Sequence, residues 1–187
     1  MKQDYGILKG DSRRLKAVRI VSAVLIILWM GTIFYFSSNE GDQSQDLSGS
    51  VAERDARFLY PDWFEPEYEK DLNMQLIGFD AVLRKGAHVA EYAALGALLA
   101  VFFSTFPLKY SVQLVLAASI GILYGISDEV HQSFVPGREG HVFDMFVDAA
   151  GAVFGAVLFT GISAVVVLDR MLWGKSSEGS GKARRKG

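Results

Sequence analysis

Four stretches of this chain, residues 20–36, 92–108, 110–127 and 149–168, carry no acidic or basic side chain. Each is about as long as the ~17–25 apolar residues that cross a ~30 Å hydrocarbon core as a helix. Within a bilayer every backbone polar group must be bonded inside the protein, a demand that runs of this kind meet as helices. The expected fold is therefore all-α: a polytopic membrane protein with four transmembrane helices in a bundle. Composition points the same way. Half of the 187 residues are hydrophobic and 21% are charged, against about 25% charged in a soluble domain, and the mean hydropathy is +0.22. Disordered, fibrous and disulfide-rich secreted chains are excluded. With no cysteine there is no disulfide framework and no Cys-ligated zinc or iron–sulfur site.

The charges that remain are segregated. Residues 1–19 hold six basic groups (Lys2, Lys9, Arg13, Arg14, Lys16, Arg19) against Asp4 and Asp11. Residues 169–187 hold another six (Arg170, Lys175, Lys182, Arg184, Arg185, Lys186) against Asp169 and Glu178. Between the first two apolar runs the balance inverts: residues 37–83 carry eleven acidic side chains, opposed by Arg54, Arg57 and Lys70. Lysine and arginine near span ends are retained on the cytoplasmic side. Both termini are thus expected inside and the acidic segment outside, which requires an even number of spans. The first run is long for a signal-peptide core and is followed by Phe34, Tyr35 and Phe36 rather than small residues, so it reads as an uncleaved span. Lys182–Lys186 reads as an orientation signal touching anionic lipid, not as a nucleic-acid patch. The Ser- and Gly-rich residues 174–181 read as a flexible tail.

The outer segment is expected to be an amphipathic loop. Ser44 is placed to cap a short helix bearing Leu47, Val51, Phe58 and Leu59 on roughly one face. Pro61 and Pro66 interrupt the chain beyond it. From Glu67 a second helical pattern (Leu72, Leu76, Phe79, Leu83) can run straight into the second span. Trp63, Phe64 and Tyr68 suit the membrane–water interface.

The informative residues are the polar ones at the span ends. Ionisable side chains near the centre of a span cost at least ~2.5–3.5 kcal/mol, so they face the bundle interior or water and usually serve a function. Arg84, His88 and Glu91 recur at spacings of four and three on one helical stripe. Asp128 and Gln132 share a face, as do Asp144 and Asp148. Pro136 and Gly137 end the third helix in a tight turn near Phe134, and Arg138 comes directly after. One polar cluster is expected on the outer side, drawn from Arg84, Lys85, His88, Glu91, Asp128, Glu129, Gln132, Arg138, Asp144 and Asp148.

Guanidinium groups bind carboxylate or phosphate bidentately, so Arg84 and Arg138 can hold an anionic head group while the carboxylates orient them. A buried ion-pair network fixing helix register is the plainer reading. His88, Glu91, Asp128, Glu129 and His131 are metal-ligating types but show no ligand spacing such as HExxH, so no metal or other cofactor is expected; His141 falls in the link as well. Nucleophilic catalysis would need Ser127 or Ser133 beside a histidine, and acid–base chemistry through His88 with Asp128 or Glu129 stays open. The GxxxG pairs Gly121/Gly125 and Gly151/Gly155 mark close helix packing within the monomer.

Two strings, RKGAHVAEYAALG and GISDEVHQSFVPGREGHVFDMFVDAAGAVFG, resemble the two halves of the VanZ-like family. The shared pattern is a basic pair, His and Glu-Tyr in one helix, then Asp-Glu, Gln, Phe, Pro-Gly-Arg and two further acidic positions. It falls on Arg84, Lys85, His88, Glu91, Tyr92, Asp128, Glu129, Gln132, Phe134, Pro136, Arg138, Asp144 and Asp148. Some members carry Asn where this chain has Asp148. The family takes its name from a protein giving low-level resistance to teicoplanin, a lipid-tailed glycopeptide. The resemblance thus implies a bacterial inner-membrane protein of the cell envelope, a role in teicoplanin-type resistance and no particular reaction. The expected layout is a basic cytoplasmic N-terminus at 1–19, a VanZ-like membrane domain at 20–168 and a basic cytoplasmic tail at 169–187. Spans fall at about 17–36, 86–106, 110–128 and 146–168, with the outer loop at 37–83. The expected partner is a membrane lipid or lipid-linked cell-wall precursor and no nucleic acid, with homo-oligomerisation left open.

Overall fold

The computed structural model describes the backbone of residues 12–38, 41–65, 69–136 and 142–183, and the side chains of 13–38, 49–65, 71–136 and 142–166. Among the described residues there is no strand. Five α-helices succeed one another there: α1 (Ser12–Ser37), α2 (Gly41–Leu59), α3 (Glu69–Ser104), α4 (Tyr110–Gln132) and α5 (Val142–Ala183), with a 3-10 turn at Pro61–Phe64. The four prolines, Pro61, Pro66, Pro107 and Pro136, all fall between helices. A proline inside a helix removes a hydrogen bond and clashes with the preceding turn. None lies between 67 and 106, and α3 accordingly runs unbroken from the outer segment into the second span.

Among the described residues, four helices are long and apolar enough to cross a membrane: Arg13–Ser37, Asp71–Ser104, Tyr110–Gln132 and Val142–Val166. Between 17% and 28% of each apolar window is buried inside the protein, so most of the apolar surface faces outward. Ile27, Val115, Leu123, Phe154 and Val165 are among the exposed side chains. Contiguous apolar surface of that extent marks an interaction face on a water-soluble protein; against acyl chains it is the ordinary exterior. The 34 residues of the second candidate span measure about 51 Å at ~1.5 Å per residue, well beyond a ~30 Å core. α3 is therefore longer than one crossing needs, and α2 packs against it.

Side-chain contacts fix the directions. On α1, Arg19 donates to the Thr105 carbonyl (2.8 Å) and to its Oγ1 (3.1 Å), with its guanidinium 3.9 Å from the Phe106 ring centroid. Farther along, Trp29 Nε1 donates to the Glu91 carbonyl at 2.9 Å, so α1 and α3 are antiparallel. The Tyr124 hydroxyl donates to the Met30 carbonyl at 2.6 Å, setting α4 parallel to α1. Gly121 meets Ala152, and Gly125 meets Asp148, making α5 antiparallel to α4 and parallel to α3. The buried core is narrow and built largely from Tyr92, Leu95, Leu99, Ala117, Ala152 and Ala156, with Ile26 and Ile33 from α1.

Two expectations change, the cap of α2 and the tail after the last span. The face of α2 that packs is made by Ala52 and Ala56, 1% and 0% exposed, whereas Val51, Phe58 and Leu59 point outward. Small side chains let the helices approach, and the larger ones have no room at that seam. α2 also begins at Gly41, which puts Ser44 inside the helix rather than at its cap. Further along, α5 continues to Ala183, through the segment read as a flexible tail. Once a helix is nucleated each added residue gains a hydrogen bond without a new nucleation cost, so the long apolar helix carries the Ser- and Gly-rich stretch along. Tyr68 and the residues 184–187 lie outside the described residues.

Candidate functional site

The directions of the helices bring the middle of α3, the end of α4 and the start of α5 together at one end of the bundle. The link 105–109 and Arg19 lie at the other. At the polar end, α3 and α5 run side by side, and two of their side chains pair directly. His88 Nδ1 and Asp148 Oδ1 are 3.2 Å apart, with His88 about one-third exposed and Asp148 fully buried. One turn nearer the helix starts, Lys85 Nζ lies 3.9 Å from Asp144 Oδ1 and 4.4 Å from the Phe143 ring centroid.

The approach of Asp148 depends on glycine. A Cβ at Gly125 would lie 3.1 Å from the Asp148 Cβ and 3.3 Å from Tyr92 Cε1, so α4 carries no side chain where α5 and α3 deliver theirs. On α4, Asp128 and Glu129 are buried, and Gln132 Nε2 donates to Asp128 Oδ2 at 2.9 Å. Glu91, half-buried, lies within electrostatic reach of His88, as do Asp148 and Asp128. Glu129 interacts in the same way with Asp144, Asp148, His88 and Asp128. The structure thus gathers Lys85, His88, Glu91, Asp128, Glu129, Gln132, Asp144 and Asp148.

It does not gather every predicted residue. Arg84, half-exposed, turns to its own helix and binds the mostly buried Asp80 four residues earlier (Nε to Oδ2, 3.3 Å). Lys85 is also half-exposed, so both cations form a rim rather than the interior. Arg138 and His141 lie outside the described residues. His131 is held by α1: its Nε2 is 3.1 Å from Ser38 Oγ, and its ring stacks on Phe34 at 4.5 Å. Neither candidate serine nucleophile meets a histidine. Ser127 Oγ donates to the Tyr124 carbonyl at 2.8 Å and Ser133 Oγ to the Val130 carbonyl at 2.7 Å. Nor does His88 pair with Asp128 or Glu129; Asp148 takes that position because parallel α3 and α5 bring residues 88 and 148 to the same level. Among the described residues no three of His, Asp and Glu converge in a way that could hold a metal ion.

The interior is acidic and partly unbonded. Asp128 Oδ1, Glu129 Oε2, Asp148 Oδ2 and the Tyr92 hydroxyl are buried without a hydrogen-bond partner. Tyr92, fully buried on α3, faces Asp128. It belongs to the sequence pattern but not to the expected charged cluster, since its apolar ring also reads as core. Asp80 stands outside the expected cluster too, although its spacing of four from Arg84 is the ordinary helical ion-pair signal. Trp29, which caps the carbonyl of Glu91, has no sequence signal at all.

The model of the VanZ/LLP1 family matches residues 22–166, from α1 to the middle of α5. No curated protein and no solved structure matches the chain.

Proposed function

The chain belongs to the VanZ/LLP1 family, and from that premise we propose that it recognises the head group of a lipid or lipid-linked cell-wall precursor at the polar end of its bundle. The observation that carries this reading is the set of buried, unbonded carboxylate oxygens on Asp128, Glu129 and Asp148 behind a rim of half-exposed Arg84 and Lys85. Native interiors bond nearly all of their buried polar atoms, and exceptions call for a ligand, an ion or water. A ligand residing in a leaflet presents its polar head toward one end of a bundle of spans, and this cluster lies toward one end.

The basic first 19 residues and the acidic segment after the first span support an orientation with the termini in the cytoplasm. In a bacterial cell membrane the polar end then meets the outer leaflet. Teicoplanin, with its lipid tail, and its cell-wall precursor target both sit there, which links the site to glycopeptide resistance.

The test compares the wild type with Lys85→Ala and Arg138→Ala, purified in mild detergent and weighed by native mass spectrometry. Co-purifying phospholipid or precursor should fall at least severalfold in the variants at equal folded yield; equal retention in all three overturns the reading. In a teicoplanin-sensitive host, only the wild type should raise the inhibitory concentration of teicoplanin, with a smaller effect on vancomycin.

The His88–Asp148 pair favours a second reading, an intramembrane hydrolase or transferase in which Asp148 orients His88 as a general base. Under it, Asp148→Asn abolishes turnover of a bound envelope lipid while binding survives.

A further inference from the structure

The described charges at the polar end do not balance. Two of its carboxylates have a partner that is or can become a cation: Asp144 has Lys85, and Asp148 has the imidazole of His88. Glu91, Asp128 and Glu129 have no described cation bonded to them. Asp128, Glu129 and Asp148 are at most 3% exposed, and each keeps one carboxylate oxygen unbonded; the fully buried Tyr92 hydroxyl, turned toward Asp128, adds an oxygen that can donate as well as accept. Burying a charge without compensation is costly, and removing the donor from a buried acceptor costs ~1–3 kcal/mol, more where the group is charged. What the three carboxylate oxygens lack is hydrogen-bond donors, and the surplus of acidic groups asks that the donors be positive.

A metal ion needs several ligands converging on one point, and the described residues do not converge in that way. An ammonium group makes a looser demand. It offers three donors that rotate to meet spread acceptors, and carboxylate and phenol oxygens both serve. At the rim, Arg84 and Lys85 stand half-exposed, and such cations bind phosphate.

We infer that the head group bound at this end carries a primary ammonium beside its phosphate, with the ammonium received by Asp128, Glu129, Asp148 and Tyr92 and the phosphate by Arg84 and Lys85. This rests on the head-group reading above and narrows it to amine-bearing ligands. The amine can belong to a phospholipid head group or to the peptide stem of a lipid-linked cell-wall precursor.

The experiment uses the full chain, purified without added lipid, and native mass spectrometry with paired probes. The lipid arm titrates phosphatidylethanolamine against phosphatidylglycerol of the same acyl chains. The precursor arm titrates a polyprenyl-diphosphate muropeptide with a lysine stem against its N-acetylated form. The wild type should retain the amine-bearing member of at least one pair at least tenfold better. Asp128→Asn and Glu129→Gln, each checked for folded yield by gel filtration, should lose that preference, whereas Lys85→Ala should weaken both members of the pair alike. Binding without preference in both arms overturns the ammonium assignment and leaves the head-group reading standing. Absence of binding in both arms overturns the two together. If Arg138→Ala shows an amine preference that the wild type lacks, the chain supplies its own cation and the assignment also fails.

Discussion

At the scale of single residues, the polar end turns on His88 and Asp148. Asp148 is fully buried and bonds the imidazole, 3.2 Å away, through Oδ1 while its Oδ2 has no partner, so truncating His88 strands a carboxyl group with both oxygens unbonded. His88→Ala is expected to destabilise the fold more than Asp148→Ala removes from a chain already lacking His88. In a double-mutant cycle followed by SDS unfolding, the coupling should be about 0.5–2 kcal/mol, the range of interhelical polar contacts in membranes. Additive effects would mean that the pair contributes nothing. The residues of this site were legible in the sequence, because a carboxylate in an apolar run has few reasons to be there. Their partners were not. Helical spacing places His88 and Glu91 on one stripe, but whether that stripe meets Asp128 or Asp148 depends on which helices run parallel, and no local pattern states it. Arg84 shows the same limit from the other side: its sequence position suggested a site cation, and its bond to Asp80 holds it at the rim.

Among the elements, α3 and α5 make the closest contact. A Cβ on Gly155 would fall on the backbone carbonyl of Ala93, and one on Gly96 on that of Ala152; at Gly151 the Val89 carbonyl would be 2.6 Å away. Backbone cannot swing aside as a flexible side chain can, so the helices themselves would have to separate. Gly155→Ala should therefore cost about 1–3 kcal/mol, the usual penalty of overpacking, and lower the thermal midpoint in detergent. Gly31→Ala and Gly161→Ala, where nothing lies within 4 Å of the added carbon, should leave it unchanged or raise it slightly, since alanine is the better helix former. Equal effects at all three positions would deny glycine its part in the seam. The GxxxG pairs announced close packing, and the structure shows both used inside the monomer. Gly96 stands outside any such pair and carries no comparable signal. The helices themselves were the easiest feature to see, since charge-free length and the placement of four prolines delimit them. The packing face of α2 was not, because alanine carries no strong sign of which way it will turn.

For the whole molecule, the deciding quantity is which side of the membrane the polar end faces. The structure fixes the ends relative to each other: Arg19 and the 105–109 link at one, the His88–Asp148 pair and the acidic α2 segment at the other. Their sides are a matter of charge. Translocating a segment with eleven acids and three bases while retaining a first segment with six bases and two acids obeys the retention of lysine and arginine in the cytoplasm. The absence of native cysteine makes this directly measurable, because a single introduced thiol is the only one present. Glu65→Cys, in the exposed stretch after the 3-10 turn, should react in intact spheroplasts with a membrane-impermeant maleimide. Lys109→Cys, exposed in the opposite link, should react only after the membrane is permeabilised. The reverse pattern would turn the buried carboxylates toward the cytoplasm, away from teicoplanin and cell-surface precursors. The cluster would then have to serve an inner-leaflet ligand, so this orientation decides the compartment in which the head group is to be sought.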